Sequence, residues 1–187
     1  MQRAIIAAVV TCACVAESGD TGRRPPAQGA LAVQDSGASF AGTLAPVRRP
    51  STSAPTRGAV LRAVHAGREP GFDRVVFEFS GVGFPGYQVQ YATEPIRACG
   101  SGAEVPLAGA DRLAVRFEPA QAHDTLGNVT AAARSLAPRL QQVLELKLVC
   151  DFEGQVEWAI GLDARRPFRV LEVSQPPRVI VDVRHHE

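Results

Sequence analysis

From residue 58 onward the chain alternates apolar and polar positions with a period of two, and glycine or proline breaks the alternation at short intervals. Tyr87-Gln88-Val89-Gln90-Tyr91 sets two tyrosines and a valine on one face and two glutamines on the other. Leu113, Val115 and Phe117 repeat the arrangement with Arg116 and Glu118 outward, as do Val75, Phe77 and Phe79 with Val76, Glu78 and Ser80 outward. Val60 to His65 reads as the first strand. Further strands are predicted at Val143 to Cys150, with Leu144, Leu146, Leu148 and Cys150 on one side, and at Val156 to Leu162, with Val156, Trp158, Ile160 and Leu162 inward. Phe168 to Val173 and Val179 to Val183 complete a set of about eight strands. Pro138 interrupts the one helical candidate, residues 131–142. Residues 119–124 allow no more than a single helical turn. Short strands with one apolar face predict an all-β fold, an antiparallel β-sandwich. A domain of about 130 residues buries roughly two-thirds of its unfolded surface, enough to fold alone.

Residues 15–57 read differently. They are rich in Ala, Gly, Ser, Thr and Pro, contain one aromatic (Phe40) and show no apolar period. Such a segment cannot offset its ordering entropy by burial, so a disordered N-terminal tether is expected before a domain at 58–187. Its flexible span is on the order of 35 Å.

Residues 1–14 set the compartment. Arg3, the apolar run Ala4 to Val10 and small residues before Cys14 describe a secretory signal, too short for a membrane span. Ala13-Cys14 resembles a lipoprotein processing site, with Thr11 where such sites usually carry Leu, which makes Cys14 the candidate lipid anchor; the alternative is an ordinary signal peptide whose cysteines are discarded. The expected location is extracytoplasmic, with membrane attachment only through that anchor.

Charge narrows the partners. The formal net charge is +1, and from Gly58 onward fourteen basic side chains face sixteen acidic ones. Without a Lys/Arg stripe, a nucleic-acid footprint is not expected.

Cys99 and Cys150 are the cysteines that remain after signal processing, and in an exported domain such a pair is read as a disulfide. It closes a loop of about 50 residues, worth about 4 kcal/mol in the chain-entropy account. No metal-ligand spacing accompanies the pair, and no cofactor is expected. His123-Asp124 is the one pair suggestive of general-base chemistry. Neighbours in sequence point apart and no nucleophile motif accompanies them, so Asp124 is read as starting the turn to Asn128. Glu78, Asp151, Glu153, Glu157 and Asp163 could supply a glycosidase pair only if two lay about 5–9 Å apart. Arg165-Arg166, beside Phe168 and with Trp158 nearby in sequence, is the binding candidate. Guanidinium forks grip carboxylates and aromatic faces stack on sugars. Arg178 is expected to pair with Asp182 or Glu172, and His185-His186 reads as a solvated tail.

The ending Pro176-Pro177-Arg178-Val179-Ile180-Val181-Asp182-Val183 resembles the closing strand of AMIN-type domains, the non-catalytic β-modules of cell-wall amidases and pilus secretins. With Gly71-Phe72-Asp73-Arg74-Val75-Val76-Phe77-Glu78-Phe79, the stretch from about Val60 to Val183 is similar to the divergent AMIN-like family of secreted proteins and lipoproteins. The resemblance implies a non-catalytic envelope-binding module with peptidoglycan as ligand, and it supplies no catalytic residues. The alternative is a scaffolding lipoprotein that binds an envelope protein through a sheet edge. Mass spectrometry of the mature protein is expected to show an acyl mass on Cys14; a soluble form cut elsewhere would leave secretion without the anchor.

Overall fold

The computed structural model describes residues 40–52, 58–131 and 133–186. The leader, Cys14 and most of the expected tether lie outside the described residues. Among the described residues eleven strands form two sheets, and there is no helix. The six-stranded sheet joins, in spatial order, β1 (Val47–Arg49), β4 (Gly86–Tyr91), β5 (Asp111–Glu118), β9 (Gln155–Leu162), β8 (Val143–Phe152) and β7 (Ser135–Leu136). The five-stranded sheet joins β10 (Phe168–Ser174), β11 (Pro177–Arg184), β3 (Phe72–Ser80), β2 (Ala59–Glu69) and β6 (Ala120–Gln121). The all-β sandwich predicted from the alternation is therefore present. Its eight long strands are the expected ones; β1, β6 and β7 are two or three residues long, too short to alternate visibly. The short β6, which runs parallel to β2, takes the place of the helical turn allowed at 119–124.

Period-two faces pack against each other as the sequence requires. Phe77 and Phe79 of β3 meet Phe117 of β5, each with ring centroids 5.0 Å apart. Trp158 of β9 lies edge-on to Phe77 at 6.1 Å. All four are buried, together with Leu61, Leu113, Ile160, Phe168 and Val181. Strand β8 departs from the expected face. Bulges between Val143 and Glu145 and between Leu148 and Cys150 shift its register. Val143 and Leu146 consequently point into the core, whereas Val149 joins a separate cluster on the outer side of the sheet. A bulge places two residues against one, so strict alternation fails on either side of it.

The domain also begins earlier than residue 58. Residues 40–52, expected as tether, form a strap across the open side of the sandwich. Thr43 exchanges both backbone hydrogen bonds with Phe168 of β10, and β1 then pairs Val47 with Val89 and Arg49 with Tyr87 of β4. The strap thus bridges one edge of each sheet. Arg49 completes the closure by donating to both carboxylate oxygens of Glu172 at 3.2 and 3.0 Å. Pairing with an existing edge needs only a few residues, so composition did not reveal it.

The outer face of the five-stranded sheet is held by ionic and aromatic contacts. Asp182, fully buried, accepts from Arg74 Nε at 2.7 Å and Nη2 at 2.9 Å, and from Arg169 Nε at 2.9 Å. One carboxylate thereby ties β3, β11 and β10 together. The Arg169 guanidinium lies 4.8 Å from the Phe40 ring and 4.9 Å from the Phe72 ring. Asp182 is thus paired with these arginines; Arg178 instead donates to Glu78 at 2.7 Å, and Glu172 takes Arg49. Truncating one member of a buried ionic group strands the remaining charges. Asp182→Ala is expected to lower unfolding free energy by about 3–5 kcal/mol in urea titrations. Arg178→Ala, in a partly exposed pair, should cost about 1 kcal/mol or less. Equal losses would mean that Asp182 contributes no more than a surface pair.

Candidate functional site

Strand alternation places the aromatic half of the sequence-derived binding group out of reach. Trp158 and Phe168 are both fully buried, Trp158 against Phe77 and Phe168 against Tyr91 at 5.9 Å. They belong to the core and cannot stack on a ligand. Arg165 and Arg166 separate from them: the loop between β9 and β10 turns outward, leaving Arg165 exposed and Arg166 half-buried. Tyr91 fixes this loop. Its hydroxyl accepts from the Arg166 amide at 2.9 Å and donates to the Arg166 carbonyl at 2.5 Å. The Arg165 guanidinium packs over the Tyr91 ring, 4.3 Å from its centroid.

The outer face of the six-stranded sheet carries a second polar surface. Register sets Arg48 beside Gln88, Gln88 beside Arg116, and Arg116 beside Glu157, a row that crosses β1, β4, β5 and β9. Gln88 donates to Gln90 at 2.5 Å, Arg116 to Glu118 at 2.7 Å and Gln155 to Glu157 at 3.1 Å. Two shallow depressions share Gln88 and Arg116 in their walls. The larger, about 650 Å³, reaches Arg48, Tyr87 and Glu118, and the smaller, about 120 Å³, reaches Gln90, Ala114 and Glu157. Burial raises the Glu157 carboxyl above its ordinary value, while the Arg116 guanidinium and the Gln155 amide pull it back. This shelf offers planar amides, guanidinium groups and carboxylates side by side, a donor and acceptor array suited to hydroxyl and amide groups.

A flap walls off the rest of that face. Residues 92–110, between β4 and β5, bury Ile96 and Leu107 against Val149 and Ala159. The expected disulfide is present: Cys99 and Cys150 are bonded, with Cα atoms 5.2 Å apart, and the Cys99 amide donates to the Val149 carbonyl at 3.1 Å. The Ala108 amide donates to Glu145 at 2.9 Å and Lys147 Nζ to the Pro106 carbonyl at 2.7 Å. The flap lies so close to β9 that a Cβ at Gly161 would overlap the Ala108 carbonyl oxygen. The disulfide therefore staples a cover over half the face and leaves the shelf open beside it.

His123 and Asp124 take separate partners. Asp124 accepts from the Asn128 side-chain amide at 2.9 Å and from the Asn128 and Leu126 backbone amides at 2.8 Å each, the turn role predicted for it, and these bonds hold its carboxyl below the ordinary value. His123 turns away from it, its Nδ1 3.0 Å from Asp151. Glu78 and Glu157 alternate with core residues of different sheets, so they lie on opposite faces of the sandwich and cannot flank one bond. No group of three or more His, Cys, Asp or Glu side chains able to hold a metal occurs among the described residues.

His185, expected in a solvated tail, instead holds Asp73. Its Nε2 is 2.7 Å from an Asp73 oxygen, and the Gln142 and Val143 amides donate to the other oxygen at 2.6 and 3.0 Å. The residues missed by sequence reasoning are Arg48, Gln88, Gln90 and Arg116. For Gln88, Gln90 and Arg116 the one sequence signal was the outward position in alternating strands; Arg48 fell in the expected tether and carried none.

Both tyrosines support these surfaces, and their ionisation is a probe of them. Burial, followed by the Glu172 carboxylate, pushes the Tyr87 hydroxyl up to about 12 from 10.0, with Arg49 acting oppositely; burial also raises Tyr91. The folded state thus holds the Tyr87 proton more tightly than the unfolded chain. That stabilisation is complete below about pH 10, the unfolded value, and is lost as pH rises through about 12. Phenolate absorbance of the native chain should show no tyrosine titrating near 10. A normal pKa for either ring would contradict the burial described.

The sequence model of the AMIN-like domain matches residues 59–185. No curated protein and no solved structure matches the chain.

Proposed function

The chain belongs to the AMIN-like family, and we propose that it binds peptidoglycan on the outer face of its six-stranded sheet without catalysing a reaction. Domains of this family are generally non-catalytic, peptidoglycan-binding modules of the cell envelope. The observation that carries the reading is the row Arg48, Gln88, Arg116 and Glu157, which runs from the strap across the sheet beside the stapled flap. A glycan strand is long, flat and rich in hydroxyl and acetamido groups, and extended rows of amide and guanidinium side chains match it without a deep pocket. Export and anchoring at Cys14 through the tether would let the domain sample the wall near the membrane. The alternative of docking through a sheet edge is restricted on β4 and β10, because β1 already occupies the edge of β4 and Thr43 pairs with the start of β10; the edges of β8 and β2 are left for it.

Co-sedimentation of the chain with purified sacculi tests the reading. Hydrogen bonds to charged groups contribute about 1.5–3 kcal/mol, so Gln88→Ala with Arg116→Ala should weaken binding roughly tenfold or more. The fold should tolerate both, since Arg116 pairs with the exposed Glu118 and Gln88 donates to the neighbouring Gln90 on the sheet's outer face. Added salt should weaken binding as well. A wild-type chain that stays in the supernatant at low salt would make peptidoglycan the wrong ligand.

A further inference from the structure

The loop after β9 and the tail after β11 meet in a basic notch that lies apart from the shelf and shares no residue with it. Arg166, Pro167, Arg184, His185 and His186 line a depression of about 250 Å³. Its walls are fixed before any ligand arrives. Tyr91 clamps both backbone groups of Arg166, the Arg184 amide donates to the Pro167 carbonyl at 3.0 Å, and the His185 amide donates to the Gly71 carbonyl at 2.8 Å. Asp73, the acid beside the tail, is fully buried and accepts from His185 and from two backbone amides. Its charge is therefore directed inward. One donor remains unanswered: Arg166 Nε is buried and meets no acceptor among the described residues. Leaving a buried N–H of a charged group unmatched is costly, and an oxygen brought by a ligand is the natural remedy.

We propose that this notch binds a carboxylate, in the form of the C-terminal end of a short peptide. The planar fork of an arginine pairs bidentately with a planar carboxylate. Arg165 on the Tyr91 ring adds positive potential beside the notch without having to touch the ligand, partly offset by the Asp111 carboxylate. Pro167 supplies an apolar wall beside the cations. A terminal residue presents that combination, an apolar side chain next to a carboxylate, whereas inorganic phosphate has no apolar part to place there. Because the walls are already hydrogen-bonded in position, ordering costs on binding are small.

The test uses the whole chain and three probes: acetyl-alanyl-alanine with a free carboxylate, its C-terminal amide, and inorganic phosphate. Backbone chemical shifts at residues 164–167 and 184–186 report binding. The free peptide should shift these signals and the amide should bind at least about tenfold more weakly, since it lacks the charge-assisted pair. Arg166→Ala should weaken the free peptide by a similar factor, and Arg116→Ala on the shelf should leave it unchanged. If Arg166→Ala lowers the thermal midpoint, Arg166→Lys decides: it keeps the charge, loses the fork, and should still weaken the peptide severalfold. Equal binding of the amide, an unaffected folded Arg166 variant, or phosphate binding more tightly than the free peptide would each overturn the assignment. Loss of sacculus binding in the shelf variant with notch binding intact separates this proposal from the reading of the shelf.

Discussion

The aromatic layer between the sheets is the constraint from which the other features follow. Phe77, Phe79, Phe117 and Trp158 are fully or almost fully buried in one interlocking set. A one-residue slip in any of their strands would carry a large apolar ring to solvent and a charged or polar neighbour into the core. The same register that seats Phe117 and Trp158 inward must turn Arg116, Glu118 and Glu157 outward. The polar shelf is thus the obligatory reverse side of the core.

The two outer faces solve that consequence differently. On the five-stranded sheet, the carboxylate of Asp182 satisfies Arg74 and Arg169, and Phe40 from the strap covers the group. Charges there are consumed internally. On the six-stranded sheet, the flap held by Cys99–Cys150 covers only the part around Val149 and Ala159. The remainder keeps its amides and guanidinium groups turned to solvent. A face that is half closed by a covalent staple and half open has a defined border, which is what a binding surface on a flat sheet needs to fix the position of an extended ligand.

The strap contributes to both sides of this division. It caps the start of β10 through Thr43, extends the six-stranded sheet by β1, and brings Arg48 to the shelf and Arg49 to Glu172. Segments of low complexity are ordered in this way when an existing sheet edge offers unpaired backbone groups, because the hydrogen bonds come from the backbone and make little demand on side-chain type. Three residues in register with β4 are enough to make a segment of tether composition part of the domain.

Local alternation decided which residues face inward in β3, β4, β5 and β9, and failed in β8, where bulges shift the register. The sandwich and the buried Val75, Phe77, Val89, Val115 and Ile160 were legible from spacing alone, because period two is a property of the chain itself. The disulfide was legible for another reason: two cysteines in a domain expected to be exported have few other partners. Strand order, bulges and edge pairing were not legible, since each depends on which strands become neighbours. Adjacency in sequence drew Trp158 and Phe168 into the group with Arg165 and Arg166, and alternation within the folded sheets removed them. Arg48, Gln88, Arg116 and Glu157 are far apart in sequence and form one row only through four-strand register, while Arg166 meets Arg184 and His186 only where two sheets end side by side. Inward or outward direction is written locally; the company a side chain keeps is decided by tertiary pairing.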